Sequence, residues 1–304
     1  SIYCGRKEKY AQKALHRKNM KNWEANVRRV TPYTPGEQPD QPDMIKLNTN
    51  ENPYPPAPGV REALKNLDID AMRLYPDPTA GELAAAIAEC YGLEKEQVFV
   101  GVGSYDVLAM SFLTFFNSGR PILFPDITYS FYDVWAELFH IPYERPALDE
   151  NFHIRKEDYF RENGGIVFPN PNAPTGVELP LEEIEEIVAR NQDVVVIVDE
   201  AYVDFGARSA LPLLKKYENL LVVQTFSKSR SLAGMRIGFA CGNQKLIKYL
   251  NDAKYSFNSY TMNQTSILCG VEAVKDGEYF HESVRKIVET REQAKEKLKE
   301  FGFI

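Results

Sequence analysis

Residues 225–240 read TFSKSRSLAGMRIGFA. The run LLVVQ precedes them and RIGFACG overlaps their end, so the stretch is a strand end, a tight polar turn and a second strand. The turn sets Lys228 between Ser227 and Ser229, with Arg236 further along it. A buried ammonium is costly unless it is paired or has given up its charge. A lysine at the end of a buried strand is therefore either a paired structural residue or one that carries a group covalently.

Outward from this turn, strands and helices alternate. QVFVG (97–101) leads into a helix near 105–116, and PILFP (121–125) into one near 129–139. GIVFPNP (165–171) precedes LEEIEEIVAR (181–190), with Pro180 as a first-turn residue. VVVIVDEAY (194–202), LLVVQTFS and RIGFACG supply further strands. Short β-branched runs bounded by polar turns are strands buried on both faces, and the repeated β-then-α order implies an α/β fold with a mainly parallel sheet sandwiched by helices. In such sheets ligands sit at the carboxyl ends of the strands.

Upstream, the proline-dense residues 31–58 predict an extended arm, followed by a helix over about 60–67. PTAGELAAAIAECYG (78–92) offers a capping box, Thr79 with Glu82, and Gly92 as a stop. After residue 265 long helices are predicted, with Val284, Ile287, Val288, Ala294, Leu298 and Phe301 on one apolar stripe. The expected division is an upstream or non-native extension at 1–19, an arm at 20–58, a large domain at 59–264, and connecting helices opening a second, small and incomplete domain at 265–304. Residues 1–19 carry six Lys/Arg against one Glu, and Met20 opens a natural-looking start.

The chain has 304 residues, 44% apolar and 26% charged, with a net charge of −7. That balance argues against a nucleic-acid surface but leaves room for a local cationic pocket. Four cysteines (Cys4, Cys90, Cys241, Cys269) stand far apart with no CxxC pair, which points away from a metal site or a disulfide framework and toward reduced thiols in a cytosol. No apolar run reaches the length of a membrane span.

Several residues invite chemistry. VFVGVGSYDVLAM (98–110) is a strand, a glycine turn at Gly101, Gly103 and Ser104, and a helix start, where free N–H groups suit a phosphate. It lacks the third glycine of a dinucleotide fingerprint and is not a P-loop. Asp199 ends a hydrophobic strand and needs a cation or several donors; Tyr202 lies three residues on. PNPNAPTG (169–176) is a rigid turn able to aim Asn172 into the mouth of the sheet. Singly, each also fits a structural role: a strand–helix turn, a cap or ion pair, a Pro-Gly loop. Together, a lysine, an acid, a phosphate cradle and an arginine on successive strand ends are the set that pyridoxal phosphate requires.

The segments LNTNENPYPP (47–56), RLYPDP (73–78), FPNPNAPTG (168–176), VIVDEAY (196–202) and TFSKSRSLAGMRIGF (225–239) occur here in the order seen in fold-type I pyridoxal-phosphate enzymes. Residues 20–304 resemble that group, and within it the histidinol-phosphate aminotransferases. The resemblance implies that Lys228 binds the cofactor covalently and moves protons. Asp199 would face the ring nitrogen, and Tyr202 and Asn172 the phenolic oxygen. Ser227 and Arg236 would hold the phosphate with the turn of Gly103, Ser104 and Tyr105, and Tyr129 would lie along the ring. Tyr75 would cross to the site of a partner subunit in a homodimer, and Asn50 and Glu51 would border the substrate.

The reaction implied converts L-histidinol phosphate and 2-oxoglutarate to imidazole-acetol phosphate and glutamate, in histidine biosynthesis in the cytoplasm. Aromatic amino-acid transamination and threonine-phosphate decarboxylation are the alternatives. Two departures bear on the site: Ala173 stands where the pattern has Asn before Pro-Thr-Gly, and Val102, Tyr105 and Asp106 stand where it has Asn, Asp and Glu. Such enzymes also continue for several dozen residues and supply a substrate-clamping arginine there. The 304 residues alone are thus expected to transaminate poorly, and restoring a natural C-terminus to raise turnover.

Overall fold

Val, Ile, Leu and Phe runs that bury side chains on both faces build the centre of the chain. In the computed structural model, residues 22–38, 41 and 43–303 are described; the extension expected at 1–19 lies outside them. The described residues fall into two units, divided between residues 33 and 34. The first contains one 3₁₀ turn over Asn22–Asn26. The sheet, its helices and every candidate site residue lie in the second.

Seven strands form one sheet: β1 (Val98–Val102), β2 (Ile122–Leu123), β3 (Tyr143–Glu144), β4 (Ile166–Pro169), β5 (Val196–Asp199), β6 (Leu220–Thr225) and β7 (Ile237–Gly242). Their order is β1-β7-β6-β5-β4-β2-β3. β7 runs antiparallel to both neighbours, and the remaining pairs between adjacent strands are parallel. Alternate residues of a strand enter opposite cores. Val196, Val198, Leu220 and Val222 face one cluster, whereas Ile197, Leu221 and Val223 face the other.

The first cluster is closed by helices α1 (Pro58–Lys65), α2 (Gly81–Tyr91), α5 (Leu181–Arg190) and α7 (Gln264–Lys275). The second is closed by α3 (Gly103–Phe115), α4 (Phe131–Phe139) and α6 (Gln244–Phe257). A long helix, α8 (Gly277–Glu300), follows. The three layers agree with the α/β sandwich expected from the alternation of elements.

Local differences have physical causes. The Thr79–Glu82 capping box does not form. The residue before α2 is Ala80, in the left-handed region at φ 48°, and the Asp77 carboxylate accepts instead from the N–H groups of Thr79 (2.9 Å) and Gly81 (2.7 Å). Gly92 ends α2 at φ 65°, as its position implied. Pro180 precedes α5 as its N-cap and is not in its first turn. α1 starts and ends two residues earlier than the pattern placed it. On α8 the apolar stripe is only partly covered, since Leu298 and Phe301 are exposed. No helix among the described residues is long and apolar enough to cross a membrane. The described cysteines, Cys90, Cys241 and Cys269, are free thiols.

Candidate active site

The carboxyl ends of β1, β4, β5 and β6 open on one edge of the sheet. Because β7 is antiparallel, its first residue also lies on that edge: Ile237 pairs with Val102, and Gly238 with Thr225. This topology brings Arg236, just before β7, to the same mouth as Lys228, just after β6, and Asp199, at the end of β5.

Lys228 is half-buried, and its Nζ donates to the carbonyl of Thr49 at 2.7 Å. It sits 5.6 Å from the centroid of the Tyr202 ring. Burial lowers its pKa; Glu51 opposes that, and the Arg236 and Lys46 cations add to it. The loop carrying it is tied down on both sides. Asn52 Nδ2 donates to the Lys228 carbonyl at 2.9 Å, and the Ser229 hydroxyl donates to Asp204.

Asp199 is 4% exposed, yet no cation pairs with it among the described residues. Its Oδ2 accepts from Tyr132 Oη at 3.0 Å, and its Oδ1 from the Ala201 N–H at 3.3 Å. Burial raises its pKa to about 6 against those two hydrogen bonds. A carboxylate held here by neutral donors alone has room for a positive group.

Arg236 shows the complementary state. Its Nη1 donates to Ser227 Oγ at 3.3 Å and to the Ala233 carbonyl at 3.1 Å, and among the described residues no carboxylate pairs with it. Gly103, at φ 79°, is the first residue of α3, and a Cβ there would run into the Arg236 guanidinium. A Cβ on Gly238 would strike the backbone of Gly103 and Ser104. The two glycines let the guanidinium and the start of α3 approach closely, which makes a cup for an anion. Tyr105 covers one side, with Arg236 5.8 Å from its ring centroid. Asp106 faces inward and accepts from the Val102 N–H at 3.0 Å.

The remaining expected residues divide. Tyr129 joins an aromatic cluster, stacked on Phe131 at 5.6 Å and edge-on to Tyr105 at 5.8 Å. Tyr202 Oη accepts from Asn50 Nδ2 at 3.0 Å. Glu51 is turned to Lys46 in a 2.6 Å ion pair. Asn172 is spent within the protein: its Nδ2 donates to the Ile127 carbonyl and to Thr175 Oγ1, both at 3.0 Å, and its Oδ1 accepts from Thr128 Oγ1 at 2.9 Å. Tyr75 stands apart, 82% exposed and stacked on Tyr260 at 4.6 Å.

Three contributors escaped the sequence reading: Tyr132 beneath Asp199, the Thr49 carbonyl, and Asn52. Tyr132 lies three residues after Tyr129 at the start of a helix, a spacing that can place both on one side. The Asn-rich NTNENP was itself a hint, since Asn fits irregular backbone close to polar groups.

A model of the family described as aminotransferase class I and II matches residues 42–304. A histidinol-phosphate aminotransferase of Brachyspira hyodysenteriae is 54% identical over 275 residues, covering 90% of this chain and 78% of that protein. One of Lactococcus lactis subsp. cremoris is 52% identical over 282 residues, covering 93% and 79%. The crystal structure of the Sinorhizobium meliloti histidinol-phosphate aminotransferase with pyridoxal 5'-phosphate superposes with a TM-score of 0.73 at 23% identity, over 81% of this chain and 68% of that one.

Proposed function

The chain belongs to the class I and II aminotransferase family, and from that premise we propose that it is a pyridoxal-phosphate-dependent transferase that moves the amino group of L-histidinol phosphate to 2-oxoglutarate. Identity above half to relatives bearing that name supports the substrate. The observation that carries the chemistry is Lys228 Nζ, half-buried, bonded to a main-chain oxygen and lowered in pKa, on the same sheet edge as an acid and a cation that, among the described residues, have no partner of opposite charge.

The residues fit the cofactor. Asp199 offers a desolvated negative charge to a protonated ring nitrogen. Arg236, Ser227 and the start of α3 at Gly103 and Ser104 offer a cation, a hydroxyl and backbone donors to a phosphate. Tyr202 offers its hydroxyl to the phenolic oxygen, and Tyr129 an aromatic face to the ring. Asn172, with both amide hydrogens engaged, serves by bracing the segment of Ile127 and Thr128 that leads to Tyr129.

When bound, pyridoxal phosphate supplies an aldehyde that captures an amine and a ring that takes up the electron pair left by a departing proton. Lys228 Nζ would be the attachment point and, as a free amine, would take the proton from the amine-bearing carbon of the substrate and deliver it to the carbon that had been the aldehyde. Its depressed pKa favours the neutral amine that this task needs. Asp199 keeps a positive charge on the ring nitrogen. Tyr132 keeps the Asp199 carboxylate oriented. Arg236 and Ser227 fix the phosphate and with it the orientation of the bound ring.

Residues 20–58 are the N-terminal arm, of which the stretch around Asn50 and Glu51 borders the site, 59–264 the cofactor domain, and 265–304 the lead into a small domain. The working form is a cytoplasmic homodimer in which Tyr75 enters the site of the partner subunit. Exposed Ile69, Met72, Leu74 and Tyr75 support a covered face there, and the free thiols support a reducing compartment.

The test is borohydride reduction after mixing with pyridoxal phosphate, followed by peptide mapping and then an assay. A pyridoxyl mass on the Lys228 peptide, with glutamate formed from 2-oxoglutarate only when L-histidinol phosphate is present, is the expected result. Label elsewhere, or turnover of phosphothreonine without a keto acid, refutes the reading.

A further inference from the structure

The arm addresses the site through closely spaced residues. Thr49 lends its carbonyl to Lys228 Nζ, Asn50 its amide to Tyr202 Oη, and Asn52 its amide to the Lys228 carbonyl. Asn50 holds φ 52°, a left-handed conformation that Asn tolerates better than most residues other than Gly. A non-glycine residue held there beside a functional tyrosine points to a role worth its strain.

We propose that Asn50 is a positioning residue for the reaction: by donating an amide hydrogen to Tyr202 Oη, it commits the phenol's own hydrogen to the phenolic oxygen of the cofactor. A tyrosine hydroxyl has one hydrogen and can both donate and accept. With Asn50 Nδ2 at 3.0 Å, the hydroxyl oxygen is an acceptor toward the arm, so its hydrogen is directed elsewhere. Donation to the oxygen also draws charge from it and makes the hydroxyl a stronger donor in turn. Asn172 cannot share that duty without giving up a bond to Ile127 or Thr175. Ala173 adds no polar side chain. Tyr202 is therefore the side chain on which the contact depends, and Asn50 sets its polarity. This rests on the pyridoxal-phosphate reading of the site and moves Asn50 from the substrate border to the network beside the cofactor.

Two substitutions separate polarity from packing. Asn50→Gly removes the donor and keeps the left-handed backbone at no steric cost. Asn50→Asp keeps the size and turns the donor into an acceptor. Each is loaded with pyridoxal phosphate, checked for a reducible adduct at Lys228, and titrated by the absorbance of the bound cofactor, beside Tyr202→Phe and the Asn50→Gly/Tyr202→Phe double variant. A donor to the cofactor's oxygen lowers the pH at which the bound chromophore loses its proton, so losing the donor raises that midpoint.

The expected result is a rise of about one pH unit in Asn50→Gly, the scale of one hydrogen bond to a charged oxygen, at least as large a rise in Asn50→Asp, and none beyond that of Tyr202→Phe in the double variant. A wild-type midpoint in Asn50→Gly overturns the inference. So does an equal increment with and without Tyr202, or an Asn50→Gly chain that forms no adduct while Tyr202→Phe forms one. No adduct in the wild type overturns the reading of the site and the inference with it; an adduct with an unmoved midpoint overturns the inference alone.

Discussion

Asp199, the proposed partner of the cofactor's ring nitrogen, has a costly resting state. Its pKa lies near 6 in the fold because burial outweighs the hydrogen bonds from Tyr132 and Ala201. A carboxyl raised above its unfolded value contributes its full stability below about pH 4, and loses it as pH climbs through the folded value. The cofactor-free Asp199→Asn variant is therefore expected to exceed the wild type by about 2–3 kcal/mol at pH 8, with the gap closing toward pH 4. Denaturant titration at the two pH values measures this, and an equal gap at both would contradict the assignment. With cofactor and substrate the same variant is expected to turn over at least about 100-fold more slowly. Lys228, Asp199 and Arg236 were legible because each breaks a hydrophobic strand or turn with a charge. Tyr132 was not, since a tyrosine in a hydrophobic helix reads as core until the carboxylate it donates to is located. The contacts of Asn172 were hidden for a related reason: a turn sequence reveals where a side chain stands, not which groups it meets there.

At the scale of elements, the strands were readable because their β-branched runs are short and bounded by turns. Helix starts were less so, because several nearby residues compete for the same N–H groups. At α2 the competition went to Asp77, which reaches both Thr79 and Gly81. Asp77→Ala is expected to lower stability by about 1 kcal/mol and Thr79→Ala by less, in denaturant unfolding. Burial pushes the Asp77 pKa up, but the bonds from Thr79 and Gly81 and the charge of Lys95 leave it below the usual value, so its contribution is present at neutral pH and fades as pH falls into the acid range. The direction of β7 could not be read from its composition at all. Gly238 marks where that strand crosses the start of α3, and Gly238→Ala, with backbone on every near side, is expected to cost about 1–3 kcal/mol and to weaken cofactor binding as well. Equilibrium unfolding and cofactor titration check the two effects separately.

The whole molecule was legible as an alternation of layers, and the arm as a proline-rich segment, but its contacts were not: no periodicity announces that residue 49 meets residue 228. The exposed run from Ile69 to Tyr75 belongs to this scale too. If the chain is the proposed homodimer, Leu74→Glu is expected to shift it toward monomer in sedimentation and to lower activity with it, whereas a monodisperse active monomer in the wild type would contradict the proposed shared site. The antiparallel course of β7 has a kinetic corollary. Ser227 and Arg236 are nine positions apart on one hairpin, whereas Lys228 and Thr49 are 179 apart. Closing the short loop sacrifices far less chain entropy than closing the long one. During refolding, the Ser227–Arg236 side of the cup and the lysine can be assembled by a nearly local event, ahead of the arm and of the distant start of α3. A newly made chain would thus own one wall of the phosphate cup before the opposite wall and the roof arrive, and the vitamin's phosphate could act as a template on which those distant segments dock.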